Sequence, residues 1–245
     1  MLFTSHKLLD NDLVEREFAL GDIPGMLWTP ASSPAPLIIL GHQGGLRSMY
    51  PRLVGRARHA AASGFATVAL ELPGGGDRPR LPELEQARVD LRAAIEREEA
   101  SGDPFEAIVD RLVLPLVDAA VPEMQAALND LLALPELRQP VGYSGGVLAV
   151  GIRLALVEPR IAAAGFYAGS FVPRSMFEEA RRVAIPVHVL LQWDDEGNDR
   201  QLALDVFDAL GSNEKTLQAN MGGHTGVPQH AADDAARFFE RHLRP

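Results

Sequence analysis

The sequence predicts an α/β fold, with a mostly parallel central sheet that starts as an antiparallel strand pair and carries helices on both faces. Short apolar runs rich in β-branched residues, each stopped by Gly, Pro or Asp, alternate with longer segments of helical period. The first two runs are joined only by Gly21-Asp22, a hairpin-like link, whereas the later ones are separated by helical segments. The chain has 245 residues, 47% of them hydrophobic and 23% charged, which supplies apolar mass for one large core.

In order, the strand candidates are 14–20, 25–29, 37–41, 66–72, 139–143, 161–168, 187–192 and 215–219. The helical segments between and after them are 50–63, 81–100, 118–134, 145–157, 175–183, 199–210 and 228–243. The Pro- and Ser-rich loop 30–36 is too short to join independent domains, and no internal repeat is visible, so residues 1–245 are expected to form one domain. One connection is long. From Asp77 to about Leu116 an arginine-bearing acidic helix is followed by an apolar stretch containing Phe105, Ile108, Val109, Leu112 and Leu114. A long excursion in a compact domain is either a lid or a pair of packing helices, and both readings stand for residues 77–116.

Lys and Arg total 23 against 33 Asp and Glu, a formal net charge of −10 with pI near 5.2. Such a field opposes binding to nucleic acid and to anionic membrane surfaces. With no cysteine there is no disulfide, thiol nucleophile or thiolate metal site. The first residues are broken by charges before any apolar stretch of signal-peptide length, and no run has the apolar length of a membrane span. A cytoplasmic protein is expected.

The strongest chemical signal is Gly142-Tyr143-Ser144-Gly145-Gly146, between a strand candidate and a helical run. A G-x-S-x-G sequence in that setting forms a sharp strand-to-helix turn that presents the serine hydroxyl, and the helix N-terminus aims free N–H groups at a developing oxyanion. Ser144 is therefore the candidate nucleophile. The strand 37–41 runs into His42-Gln43-Gly44-Gly45, similar to the His-Gly-Gly loops that donate the second oxyanion N–H in esterases. Gly145 is one candidate donor; Gln43 and Gly44 both stand as the other. The strand 187–192 releases Trp193-Asp194-Asp195-Glu196, where a carboxylate can orient an imidazole; Asp195 is the first choice and Asp194 the reserve. His224, on the glycine-rich loop after the last strand, is the candidate general base.

Ser144, Asp195 and His224 occur in the chain order of α/β-hydrolases, and the chain resembles the dienelactone-hydrolase-like branch of that family over nearly its whole length. Leu70-Glu71-Leu72-Pro73-Gly74-Gly75-Gly76-Asp77 resembles the family's loop after the fourth strand, with Glu71 and Gly75 where aspartate and histidine are usual. Dienelactone hydrolases proper commonly use cysteine, so serine at 144 points to ester chemistry rather than to the dienelactone substrate. The resemblance implies a bacterial serine esterase that carries a small or medium acyl group on Ser144, acts on a small-molecule substrate, and forms a homodimer in keeping with related small hydrolases. Thioester hydrolysis or acyl transfer by the same residues is the enzymatic alternative; a catalytically silent binding module is the alternative of another class. Tyr143, Trp193, Phe105, Phe171 and Met221 are candidates for an apolar substrate wall. No nucleotide or phosphate motif is complete and no zinc or calcium spacing occurs, so no metal and no cofactor are expected.

Overall fold

The computed structural model describes residues 1–99 and 101–244; Ala100, inside the long excursion, and Pro245 lie outside the described residues. Nine strands form one sheet: β1 (Leu2–Leu8), β2 (Val14–Leu20), β3 (Ile23–Thr29), β4 (Ala35–Gly41), β5 (Ala66–Leu70), β6 (Leu137–Gly145), β7 (Ile161–Ala168), β8 (Val187–Gln192) and β9 (Lys215–Asn220), in spatial order β1-β2-β3-β5-β4-β6-β7-β8-β9. Pairing is antiparallel from β1 through β3 to β5 and parallel from β5 to β9, which is the predicted class. Strand β1 is an addition to the sequence reading. Its side chains are nearly all exposed, with Phe3 packed edge-on to Phe18, so this edge strand leaves no apolar alternation to detect.

Helices α1 (Leu46–Ala62) and α7 (Gln229–Leu243) cover one face, where Leu53, Ala57, Phe239 and Leu243 meet Ile38, Leu40 and Ala163 of the sheet. The other face is covered by α3 (Asp103–Leu131), α4 (Leu148–Val157) and α6 (Arg200–Ala209), with α2 (Pro82–Glu96) resting on α3 and the short α5 (Phe177–Ala180) against α4 and α6. The apolar stretch of the excursion is the first half of α3, a single helix of 29 residues that contains Pro115 and Pro122. Each proline removes one helical N–H, which makes the helix read as divided. Phe105, Val109, Val113 and Val117, spaced one turn apart, are all buried in the main core.

Chain direction reverses between β4 and β6. After β4 the chain crosses to β5 on one side; after α3 it returns to β6 on the other, leaving a crevice at the carboxyl ends of β4 and β6. Two glycines close that junction: Gly41 and Gly145 are register partners, and a Cβ at Gly145 would lie 2.5 Å from the Gly41 Cα. Beneath them the Tyr143 ring is fully buried, donates its hydroxyl to the Val147 carbonyl at 3.0 Å, and fills the space a side chain at Gly41 or Gly151 would need. Burial raises the Tyr143 pKa well above the usual phenol range.

The glycines of two helices give opposite expectations. A Cβ at Gly55 in α1 would meet nothing within 4 Å among the described residues, so Gly55→Ala should stabilise by about 0.5–1 kcal/mol through helix propensity. A Cβ at Gly151 would meet Tyr143 Cε1 at 2.5 Å, so Gly151→Ala should destabilise by roughly 1–3 kcal/mol through overpacking. Urea midpoints moving in the same direction for both would contradict this packing.

Candidate active site

The crevice opens into a cavity of about 1420 Å³, whose wall includes Gln43, Gly44, Val147, Gly169, Asp195 and His224. The loop after β4 is pinned by His42, which is buried with Nε2 2.9 Å from the Leu70 carbonyl and Nδ1 against the Gly44 carbonyl. Burial lowers the His42 pKa, against the pull of those two carbonyls and of Glu71. Gln43 Nε2 donates to the Gly146 carbonyl at 3.1 Å, tying the loop to the end of β6. Glu71 Oε2 accepts the Leu46 N–H at 2.9 Å at the start of α1, so the substituted acid of the 70–77 loop has a structural task.

At the end of β8 the two adjacent aspartates divide their roles. Asp194 accepts the Gly222 N–H at 3.1 Å and holds the loop after β9. Asp195 faces His224: its Oδ2 is 2.7 Å from His224 Nδ1 and accepts Asn198 Nδ2 at 2.7 Å, while Oδ1 accepts the Gly197 N–H at 3.0 Å. The Asp195 side chain is 4% exposed and the His224 side chain 57%. A carboxylate only accepts, so the ring places its proton on Nδ1 and leaves Nε2 as a free base. Three donors offset the cost of burying the acid. Asn198, three residues beyond Asp195 in an acidic turn, was not singled out from the sequence.

Ser144 is placed elsewhere. Strand β6 continues through Gly145 and α4 begins only at Leu148, so the strand-to-helix turn lies about three residues later than the motif suggests. Ser144 is inside the sheet, paired with Leu40 and Gly165, with its side chain toward α1 and α7. Its Oγ accepts from Arg56 Nη2 at 3.1 Å and donates to the Tyr167 hydroxyl at 3.4 Å. A Cβ at Gly165 would lie 3.7 Å from Ser144 Oγ, and one at Gly169 would lie 3.3 Å from His224 Cε1. Ser144 and His224 both line the cavity between α1 and α7, yet among the described residues no hydrogen bond joins the hydroxyl to the ring. The residue at the turn is Val147, which lines the cavity with Asp195 and His224. The sequence did hold a signal: a helix starting at 145 would carry Gly145 and Gly146 in its first turn, at about 1 kcal/mol each.

No family model and no curated protein matches the chain. Among solved structures, a cold-adapted esterase from an Arctic intertidal metagenomic library, bound to PEG, superposes with a TM-score of 0.78 over 100% of both chains at 25% identity. A dienelactone hydrolase from Anabaena variabilis ATCC 29413 matches 94% of this chain and 99% of its own, with TM-score 0.62 and 19% identity. Acetyl xylan esterase 1 from Thermoanaerobacterium sp. JW/SL YS485 covers 97% of this chain and 87% of its own, with TM-score 0.61 and 14% identity. The chain has the α/β-hydrolase fold, of the dienelactone-hydrolase-like kind.

Within this hydrolase fold the remaining sequence candidates are distributed unevenly. Gln43 and Gly44 line the cavity. Gly145 does not, because it belongs to β6 and is pressed against Gly41. The free amides begin at the N-terminus of α4, where Leu148 N–H is taken up by Ser170 Oγ at 3.3 Å. Tyr143 is core, not substrate wall. Trp193 is on the surface with the Arg200 guanidinium 4.3 Å over its ring. Phe105 is buried edge-on to Phe171 at 5.4 Å between centroids, and only Phe171 of this pair reaches the cavity. The 77–116 segment contributes Arg80, Arg88, Leu91, Arg92, Leu112 and Leu116 to the cavity wall. Among the described residues no group of three or more His, Asp or Glu is arranged to hold a metal ion, and no helix is long and apolar enough to cross a membrane.

Arg56 Nη1 also donates to the Gly41 carbonyl at 3.2 Å and Nη2 to the Ser144 carbonyl at 2.6 Å, so this side chain ties β4 to β6 from α1. Ser144→Ala removes only the hydroxyl contact and should cost about 0.5–1.5 kcal/mol. Arg56→Met strips a donor from two carbonyls as well and should cost more. Urea denaturation that ranked Ser144→Ala as the more damaging change would contradict this clamp.

Proposed function

We propose that the protein hydrolyses a carboxylic ester of a small or medium acyl group, with His224 as the base and Asp195 as the group that orients and electrostatically supports it. The observation that carries this reading is the 2.7 Å Asp195–His224 contact at the mouth of the 1420 Å³ cavity. Support comes from the fold shared with the esterases named above.

Because Ser144 Oγ is engaged by Arg56 and Tyr167, the nucleophile favoured by the geometry is a water molecule on His224 Nε2. His224 takes its proton as the oxygen attacks the acyl carbon, and the resulting imidazolium is stabilised by Asp195. The carbonyl oxygen, now carrying negative charge, is met by a Gln43 or Gly44 amide and by the N-terminal amides of α4, once Ser170 Oγ yields Leu148 N–H. Collapse of the tetrahedral intermediate breaks the ester C–O bond, and His224 returns the proton to the leaving alkoxide. The products are one carboxylic acid and one alcohol. An acyl-enzyme on Ser144 is the alternative and needs that hydroxyl to leave Arg56 and reach the ring.

Hydrolysis of nitrophenyl esters of graded acyl length tests these readings. His224→Ala should lower kcat/KM by about 10²–10⁴-fold. Asp195→Asn should lower kcat strongly through the wrong tautomer, whereas Asp194→Asn should be mild. With water as nucleophile, Ser144→Ala keeps most of the activity and a fluorophosphonate leaves the protein unlabelled. Loss of activity in folded Ser144→Ala, with labelling of wild type at Ser144, would replace water by the acyl-enzyme. Turnover unaffected by His224→Ala would sink both.

One observation favours a second reading, a binding module that does no chemistry: Val147 stands at the turn where a hydrolase displays its nucleophile, and it offers no hydroxyl. Binding of an intact ester, with no hydrolysis by folded wild-type protein, would select it.

A further inference from the structure

A second cavity of about 1000 Å³ runs between α1 and α7 on the opposite face of the sheet from α3 and α4. It exists because α7 turns Ala231, Ala232, Ala235 and Ala236 toward α1, and methyl groups do not span the distance between the helices. Its charge is unlike that of the chain. In a protein of net charge −10, the lining holds Arg52, Arg56 and Arg58 and a single acid, Asp195, already bound to His224. Arg58 is paired with Asp10 at its edge. Arg56 lies at the floor and makes no ion pair among the described residues; its bonds go to the Gly41 and Ser144 carbonyls and the Ser144 hydroxyl, with one face 4.9 Å over the Tyr167 ring. Nε and the second Nη1 hydrogen remain uncommitted. Gln192, nine-tenths buried in the same lining, has its Oε1 without a partner among the described residues.

A guanidinium drawn from water without a carboxylate is an electrostatic deficit that an anion corrects, and a planar fork suits a carboxylate best. Past this charge the walls are apolar, from Leu40 and Ile38 to Ala232, Ala235 and Phe239. Ala232 and Phe239 are separated by roughly 10 Å of helix, room for an extended medium-length hydrocarbon chain.

We infer that the α1–α7 cleft is a binding site for an apolar carboxylate, with the carboxylate on Arg56 and the Tyr167 hydroxyl and the hydrocarbon chain along the alanine face of α7. The inference does not rest on ester hydrolysis, since binding is measured without any ester. Two sources share this chemistry: the acid released in the ester cavity, and a free fatty acid arriving from solution.

Calorimetric titration with decanoate, with decanol as the uncharged control, tests the site. Decanoate should bind wild type at least tenfold more tightly than decanol does. Arg56→Met should weaken decanoate by tenfold or more while leaving decanol unchanged. Ala232→Phe, which fills the cleft and leaves every polar contact in place, should weaken both, and it keeps the test decisive should Arg56→Met fail to fold. Equal binding of acid and alcohol, or decanoate affinity unchanged in folded Ala232→Phe, would overturn the proposal. The sources separate by loading: decanoate retained after turnover of a decanoyl ester marks the product route, and uptake only from solution marks the free acid, each presupposing the same site.

Discussion

The close approach of Gly41 and Gly145 governs the rest of this structure. Parallel strands β4 and β6 are neighbours although the chain between them makes a third strand and three helices, and the two strand ends meet where the direction of winding reverses. A side chain at either position would meet backbone or the Tyr143 hydroxyl at 2.2–2.7 Å, so only glycine lets the strands keep their spacing to the last pair. From that contact follow the place of the loop after β4, the start of α4 and the crevice between them. Tyr143 supports it from below, and Arg56 ties it from above by bonding the carbonyls of Gly41 and Ser144. The junction is therefore braced on both faces of the sheet.

The same bracing decides what Ser144 can do. A hydroxyl serves as a nucleophile when a base can take its proton and an acyl carbon can reach it. Ser144 faces a guanidinium, which withholds base character from its surroundings, and it is 4% exposed within a strand. His224 has the opposite setting: a buried carboxylate fixes one ring nitrogen and the other faces the cavity. His224 thus lines two cavities, the crevice with Val147 at its turn and the cleft that Ser144 also lines.

The fold was legible because burial on both sides writes continuous apolar runs for β4, β5, β7 and β8, and the alternation with helices fixes the parallel class. The meeting of Asp195 and His224 was legible because loops after the last two strands can only meet at the carboxyl edge of the sheet. Where signals were local and weak, the reading failed. An exposed edge strand has no alternation, prolines divided α3 on paper, and a pentapeptide could not report where β6 ends. That boundary is set by register with β4, which pairs Gly41 with Gly145, a contact across 104 residues that no window contains. Tyr143 read as substrate wall for the same reason, its face being chosen by the strand's position and not by its neighbours in sequence. Arg56 was beyond reach altogether, because α1 brings it to the motif from 88 residues away.

The two cavities share a wall. Gln43, Gly169, Asp195 and His224 line both, so the imidazole stands between a polar crevice on one side and a basic, apolar cleft on the other. Any ligand of the cleft that touches His224 or Gln43 changes the free energy of groups that also face the crevice, and linkage requires the effect to be mutual. An anion near His224 favours the imidazolium by simple Coulomb attraction, which would support the charged form produced when the ring takes a proton and oppose the neutral form needed to start. The sign of such coupling therefore depends on which step is slow. On the proposed hydrolysis, stabilising the imidazolium strengthens the ring as a base in the first proton transfer and weakens it as the acid that returns this proton to the leaving alkoxide. The shared histidine makes the distinction a property of one side chain rather than of a chain of contacts across the sheet.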